Sequence, residues 1–339
     1  MRWVAIVLTA LAVLAGAPTD RALAQTAPAP ASQPPAALSG PPTARTSATE
    51  ADFWRGVRQG IEGRVSIPDA KAGVLIQSEG ENWRNIRNGP LSTYGVWMLL
   101  GMIVVIAAFF AVRGRIRIDA GPANRSVVRF NAIERFGHWL TATAFLVLAL
   151  TGLNMLYGRY VLLPAIGPRG FATLTLWGKY AHSYIAFAFM LGVLLLIVLW
   201  IRHNIPNRED LAWLARGGGL FKKGVHPSAH KFNAGQKLIF WAVVLGGSAL
   251  SVTGFYLLMP FAFGMTIHDM QYFVVVHSAV ALVLVAVIIA HIYIGSIGME
   301  GAFDAMGTGR VDENWAREHH DLWLAELQGK SRPQPGHDD

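Results

Sequence analysis

Four of the eleven histidines in this 339-residue sequence lie inside long apolar stretches: His138, His182, His277 and His291. An ionisable side chain placed in hydrocarbon is costly and is kept mainly where it does chemistry. Neutral imidazole is the commonest protein ligand for a metal ion. His277 and His291 are separated by fourteen positions, close to four helical turns. On one helix they face the same way to within about 40° and stand about 21 Å apart, which suits two metal centres stacked along one axis. A histidine proton relay is the competing chemistry. Such relays usually add Asp or Glu, and the apolar stretches read here contain neither.

The elements that must position these rings are membrane spans. Five apolar segments, each near the ~20 residues needed to cross hydrocarbon, occupy 94–112, 136–157, 180–201, 236–258 and 272–297. The connection after the first carries Arg113, Arg115, Arg117, Arg125, Arg129 and Arg135. The one after the third carries Arg202, Arg208, Arg216, Lys222, Lys223, Lys231 and Lys237, whereas 259–271 has no Lys or Arg. By the positive-inside rule the chain enters from the periplasm, crosses the bacterial inner membrane five times and ends in the cytoplasm. The second span then runs outward and the third and fifth inward. That pairs His182 with His277 near the periplasmic face and His138 with His291 near the cytoplasmic face. Each pair can supply both axial nitrogens to one haem iron, in the way helical bundles build cofactor sites from facing helices. Gly137, Ala181, Gly152 and Gly254 leave room beside the rings for flat macrocycles.

Composition agrees. Hydrophobic residues make up 53% and charged residues 15%, with mean hydropathy +0.37. Soluble domains carry about a quarter charged residues. The net charge of +8 resides in the loops rather than in a patch interleaved with aromatics, which argues against a nucleic-acid partner. Cysteine is absent, excluding disulfides, covalent c-type haem and iron–sulfur ligation within this chain. Met1-Arg2, an apolar run and Ala22-Leu23-Ala24 read as a signal peptide over 1–24. An Ala/Pro-rich linker over 25–50 and a small periplasmic segment over 51–92, with weak signs of a hairpin, follow. An extra transmembrane helix (93–113), a four-helix domain (129–298) and a cytoplasmic tail (299–339) complete the expected organisation. The expected fold class is therefore all-α and integral to the membrane: a four-helix dihaem cytochrome b bundle with one additional N-terminal helix.

From about Arg129 to Lys330 the sequence resembles the gamma subunit, cytochrome b556, of membrane-bound respiratory formate dehydrogenases. The matching stretches are Arg135-Phe-Gly-His138-Trp, Arg202-His-Asn-Ile-Pro206, Lys231-Phe-Asn-Ala-Gly-Gln-Lys237, His277 with His291-Ile-Tyr, and Trp315-Ala-Arg-Glu-His-His320. The stretch from Trp54 to Pro90 resembles an N-terminal extension of some members, while shorter members have four spans and no signal.

The resemblance implies two b haems on the four histidines paired as above. It also implies a quinone pocket beside the cytoplasmic haem, with Asn233, Gly235 and Gln236 in it. An amide can hydrogen-bond a quinone oxygen and glycine lets a flat ring approach the backbone. Asn233 as a helix cap, with Lys237 as a snorkelling anchor, is the plainer alternative. His203 suits a helix end, and Trp315–His320 either meets a partner or forms a solvated amphipathic helix. The implied partners are a periplasmic iron–sulfur beta subunit and an alpha subunit with molybdenum or tungsten, where formate is oxidised. Electrons would pass through the two haems to menaquinone or ubiquinone. A hydrogenase or a thiosulfate/polysulfide reductase cytochrome b remains an alternative, as does a haem-free anchor for a periplasmic partner.

Overall fold

The computed structural model describes residues 78–260 and 263–329. The expected signal peptide, the linker and the residues with hairpin signs lie outside the described residues. The described end of that N-terminal segment is helical: α1 (Ser78–Ile86) runs through a π turn (Arg87–Leu91) into α2 (Ser92–Arg113). Only Gly95 of α2 is buried, while Val104, Val105 and Val112 are 65, 63 and 90% exposed. Such a surface suits acyl chains rather than water. Gly95 is where α2 touches the bundle: a Cβ there would lie 2.6 Å from Leu282 and 2.7 Å from the Tyr157 hydroxyl.

The second and third expected spans form one continuous run, α3 (Ala132–Trp200), of 69 residues. A straight helix of that length would extend about 100 Å, some three bilayer cores. It is instead broken at Gly167, between Pro164 and Pro168, where φ is +73° and ψ 171°. Glycine alone adopts that conformation without strain. The arms 132–166 and 168–200 then return antiparallel. Contacts along them run in opposite order: Glu134 with Trp200, Thr141 with Gly192, Thr151 with His182 and Asn154 with Thr175. Counting the arms separately, the five expected spans fall within four helices that, among the described residues, are long and apolar enough to cross a membrane.

α4 (Arg208–Ala215) follows, then α5 (Ala234–Leu258) and α6 (Ile267–Tyr293). The starts of α3, α4, α5 and α6 are fixed by reciprocal capping boxes: Asn131 with Glu134, Asn207 with Asp210, Asn233 with Gln236 and Thr266 with Asp269. Each satisfies two backbone N–H groups that would otherwise lack partners. Phe145, Phe189, Val193, Leu250, Leu284 and Val285 fill the bundle interior.

One end of the bundle, where α2 and the second arm finish and α5 begins, is closed by a cap. Strand β1 (Ser126–Val128) pairs antiparallel with β2 (Arg310–Asp312). Around it fold α7 (Asp304–Gly307), α8 (Glu313–His319) and α9 (Asp321–Leu327). Residues 299–329 of the expected tail are part of the folded body: Trp315, Ala316, Trp323 and Leu324 share one buried cluster with Phe130, Leu196, Trp200 and Phe240. Reading Trp315–His320 as a solvated amphipathic helix is corrected accordingly. The reason is that its aromatic face covers apolar ends of α3 and α5 that water would otherwise wet.

Candidate cofactor centre

The four intramembrane histidines meet in two pairs. His182 of the second arm faces His277 of α6 with ring centres 6.3 Å apart, and His138 of the first arm faces His291 of α6 at the same 6.3 Å. Two imidazole nitrogens sharing one metal, at about 2.0 Å each, place the ring centres about 6.2 Å apart. Imidazoles in direct hydrogen-bond contact would sit closer. Both pairs therefore keep the gap that one ion between two rings requires.

The His182–His277 pair is oriented by threonines. Nδ1 of His182 lies 2.8 Å from the Thr151 hydroxyl, and Nδ1 of His277 lies 2.9 Å from that of Thr253. Each hydroxyl already donates its one proton to a carbonyl a turn earlier: Thr151 to Val147 at 2.7 Å, Thr253 to Ala249 at 2.7 Å. With its proton so placed, the hydroxyl accepts from the imidazole. An imidazole that donates from Nδ1 to such a hydroxyl keeps Nε2 unprotonated, the form that binds a metal, and a partner of this kind fixes tautomer and ring angle. A glycine follows each threonine. A Cβ on Gly152 would lie 3.5 Å from Cε1 of His182, and one on Gly254 would lie 3.2 Å from that of His277. The repeated Thr-Gly, on the first arm and on α5, was not singled out from the sequence as a pair. Its signal is the shared dipeptide, one on each helix that flanks this pair.

The His138–His291 pair is built differently. Nδ1 of His138 is buried and has no hydrogen-bond partner among the described residues. Its helix is gripped instead. Arg135 donates to the carbonyls of Met306, Gly307 and Thr308 at 3.2, 2.7 and 3.1 Å, and the Trp139 indole donates to Met306 at 2.9 Å. The stretch Arg135-Phe-Gly-His138-Trp thus flanks His138 with two side chains that clamp the α7 turn.

Across residues 129–309, just over half of the chain, the sequence matches the family described as prokaryotic cytochrome b561. The chain belongs to that family. It is a mostly helical, multi-pass membrane protein, and membership in a cytochrome b family implies haem b. Curated relatives agree in kind. The nitrate-inducible formate dehydrogenase cytochrome b556(Fdn) subunit of Escherichia coli K12 is 28% identical over 208 residues, 60% of this chain and 93% of the relative. The cytochrome b556(fdo) subunit of the same strain is 28% identical over 205 residues, 60% and 94% of the two chains. The formate dehydrogenase cytochrome b556 subunit of Haemophilus influenzae is 27% identical over 204 residues, 59% and 83%. In this cytochrome b561-family chain the spacing of the His182 and His277 rings, 6.3 Å between centres, fits two imidazoles on one haem iron.

The three residues expected at a quinone lie together at the start of α5, at the capped end with His138. Asn233 accepts from the Gln236 backbone N–H at 3.0 Å, and Gln236 accepts from the Asn233 N–H at 3.1 Å. The side-chain oxygens of both amides are therefore spent on the helix cap, while the box leaves their NH2 groups uncommitted. Gly235 lies beneath Trp213, whose indole would be 3.0 Å from a Cβ there. Lys237 is not a snorkelling anchor. It is 4% exposed and donates to Asp210 at 2.8 Å and to the Ile205 carbonyl at 3.2 Å, because α4 folds over it. His203 closes the short 3-10 turn after the second arm, a helix-end position.

Behind this stretch lies Arg129, 3% exposed. It donates to the Lys231 carbonyl at 2.6 Å and stacks on Trp315 and Trp323 at 5.1 Å each. Its Nη2 lies 3.0 Å from Nε2 of His320, whose Nδ1 lies 2.7 Å from the His230 carbonyl. Arginine can only donate, so Nε2 of His320 accepts and Nδ1 carries the proton that goes to His230. Burial lowers Arg129 to about 9, leaving it charged at neutral pH. Burial and Arg129 together hold His320 well below its ordinary value, as its accepting role requires. The cap thus holds residues 230–236 from behind. Nothing in the sequence pointed to this, since Arg129 and the His230 carbonyl lie 191 and 90 positions from His320.

Proposed function

We propose that this chain is the membrane cytochrome b subunit of a formate dehydrogenase complex and carries two b haems. His182 and His277 would hold one and His138 and His291 the other. The observation that carries the reading is the pair of equal histidine gaps at two depths of one bundle. The similarity to formate dehydrogenase cytochrome b556 subunits supports the choice of complex. When bound, haem iron supplies reversible one-electron transfer. The chain's own residues set its surroundings: Thr151 and Thr253 orient the rings, Gly152 and Gly254 leave space beside them, and the apolar interior excludes water between the levels.

The loop charges support a periplasmic N-terminus and a cytoplasmic C-terminus in the bacterial inner membrane, with the His182–His277 pair on the periplasmic side. An iron–sulfur subunit there would deliver electrons drawn from formate by a molybdenum or tungsten subunit. Menaquinone or ubiquinone would be reduced near Asn233, Gly235 and Gln236, with the amide NH2 groups as donors to a quinone oxygen. Moving each electron inward opposes the membrane potential by about 2.3 kcal/mol per 100 mV, so the redox drop is conserved as charge separation.

Anaerobic membranes containing the assembled complex provide the test. Formate is added and the b-haem absorbance band is followed against the dithionite-reduced total. Rapid reduction, lost in His182→Ala, is the expected result. Reduction by hydrogen or quinol but not by formate would move the same cytochrome to another respiratory complex. Absence of a haem band would leave only an anchor.

A further inference from the structure

Among the described residues, a small cleft opens where α2 leaves the apolar zone, lined by Arg113, Arg117, Lys222, His226 and His319 together with Asp119 and the glycine turn at 218–219. It lies outside both histidine pairs, and its α2 side precedes the stretch matched to the family. Its charges are unevenly committed. Asp119 already accepts from the Gly224 N–H at 3.0 Å and meets the His226 ring at 3.1 Å. Arg113 spends Nε on the Leu220 carbonyl at 2.9 Å. Arg117 and Lys222 have no acidic partner among the described residues, and Nε2 of His319 is buried without a hydrogen-bond partner. The cleft therefore offers three cations and a ring nitrogen against one occupied carboxylate.

Its position identifies what it would hold. Arg113 is the last residue of the apolar stretch 82–113, which sets the cleft at the depth of lipid headgroups. Next in sequence to its lining residues Arg113 and Lys222, Val112 is 90% and Phe221 74% exposed, and Phe221 stands edge-on to Phe109 of α2 at 5.8 Å. Cations beside exposed apolar side chains at the hydrocarbon edge suit a molecule with a phosphate at one end and acyl chains at the other. We propose that the cleft binds the phosphate of an anionic phospholipid, which ties the end of α2 to the 216–226 loop and to the C-terminal cap.

The test uses the full chain purified with its haem in mild detergent, exposed to dioleoyl-phosphatidylglycerol or dioleoyl-phosphatidylcholine and analysed by native mass spectrometry. Phosphatidylglycerol adducts should exceed phosphatidylcholine adducts, and Arg117→Gln with Lys222→Gln should reduce the former about tenfold. Arg159→Gln with Arg169→Gln, removing charge at the opposite end of the bundle, should leave them unchanged. Both double variants change exposed or loop side chains, and their haem spectra report whether they fold. Equal retention of the two lipids, or undiminished phosphatidylglycerol in Arg117→Gln/Lys222→Gln, would overturn the proposal. So would displacement of the lipid by millimolar inorganic phosphate, which would make the cleft a simple anion site.

Discussion

The two histidine pairs have the same ring spacing and opposite means of support. At the His182–His277 level, side chains do the orienting: a hydroxyl from a neighbouring helix accepts from each Nδ1, and each hydroxyl is pinned to its own helix. At the His138–His291 level, orientation comes through backbone. Arg135 and Trp139 fix the helix that bears His138 to the α7 turn, and the imidazole Nδ1 is left without a partner. The first arrangement is local to the bundle and independent of the cap; the second depends on residues 306–308, some 170 positions away. A histidine held by a hydroxyl responds to the loss of one oxygen atom. A histidine held by a cap responds to whatever loosens the cap.

The largest effect expected from breaking this comparison is at the ligands. His277→Ala and His291→Ala should each remove one haem and keep the other, so that haem per chain falls by about half, since a metal-ligating ring has no substitute in an apolar interior. Pyridine haemochrome quantification with redox titration checks this, and the two variants should lose components of different midpoint potential. Loss of both haems from either variant would mean that the levels are not independent.

Next in size are the supports. Thr253→Val keeps shape and removes the oxygen that accepts from Nδ1 of His277. Loss of such a partner costs about 10–100-fold in metal affinity or activity. The expected outcome is a weakened or potential-shifted haem at the His182–His277 level only, rescued by Thr253→Ser. Arg135→Gln should do the reverse, disturbing the component lost in His291→Ala and sparing the other. If both variants perturb both components equally, the contrast between hydroxyl support and cap support is wrong.

Acid provides a milder way to act on the cap. Burial lowers His319 to about 4, helped by His226 and Arg129, and holds His320 well below its ordinary value of 6.5. Below pH 6.5 the unfolded segment therefore binds more protons than the folded cap, and the stability from these neutral rings falls as pH drops towards about 4. Tryptophan emission from Trp315 and Trp323 should shift in that window before the haem bands do. The first haem component to change should be the one sensitive to Arg135→Gln.

Why one level was legible in the sequence and the other less so follows from the same contrast. Span positions, the depths of the four histidines and their pairing come from apolar runs and loop charge, which are properties of composition along the chain. The turn between the arms was also written locally, in Pro164, Gly167 and Pro168, although the ordered helix continues through residues that look like a loop. The threonine supports were visible as residues but not as partners: Thr-Gly is a common dipeptide, and only the facing of two helices turns it into a histidine acceptor. The cap was the least legible. Trp315, His320 and Trp323 look like an exposed tail until Arg129 and the end of the second arm are placed against them. Lys237 was misread for the same reason, since Asp210 covers it from a separate helix. Asn233 and Gln236 carry the capping-box spacing in plain view, and the expected cap at Asn233 is present, with both amide oxygens accepting at the start of α5.

The smallest expected effect separates the two members of the threonine-supported pair. A Cβ added at Gly152 meets His182 at 3.5 Å, an ordinary van der Waals contact, whereas one at Gly254 meets Cε1 of His277 at 3.2 Å, closer than neighbours accept without shifting. Gly152→Ala should therefore be silent in ring geometry. Gly254→Ala should tilt the His277 imidazole by pushing on the carbon between its two nitrogens, lengthening either the contact to Thr253 or the bond on the other side. Low-temperature electron paramagnetic resonance of the oxidised protein reads the angle between two axial imidazoles. The g values of one component should move in Gly254→Ala and hold in Gly152→Ala. Equal movement in both variants would show that each glycine serves the volume of the macrocycle rather than the angle of the ring, because a flat group seated beside both residues would feel either methyl alike.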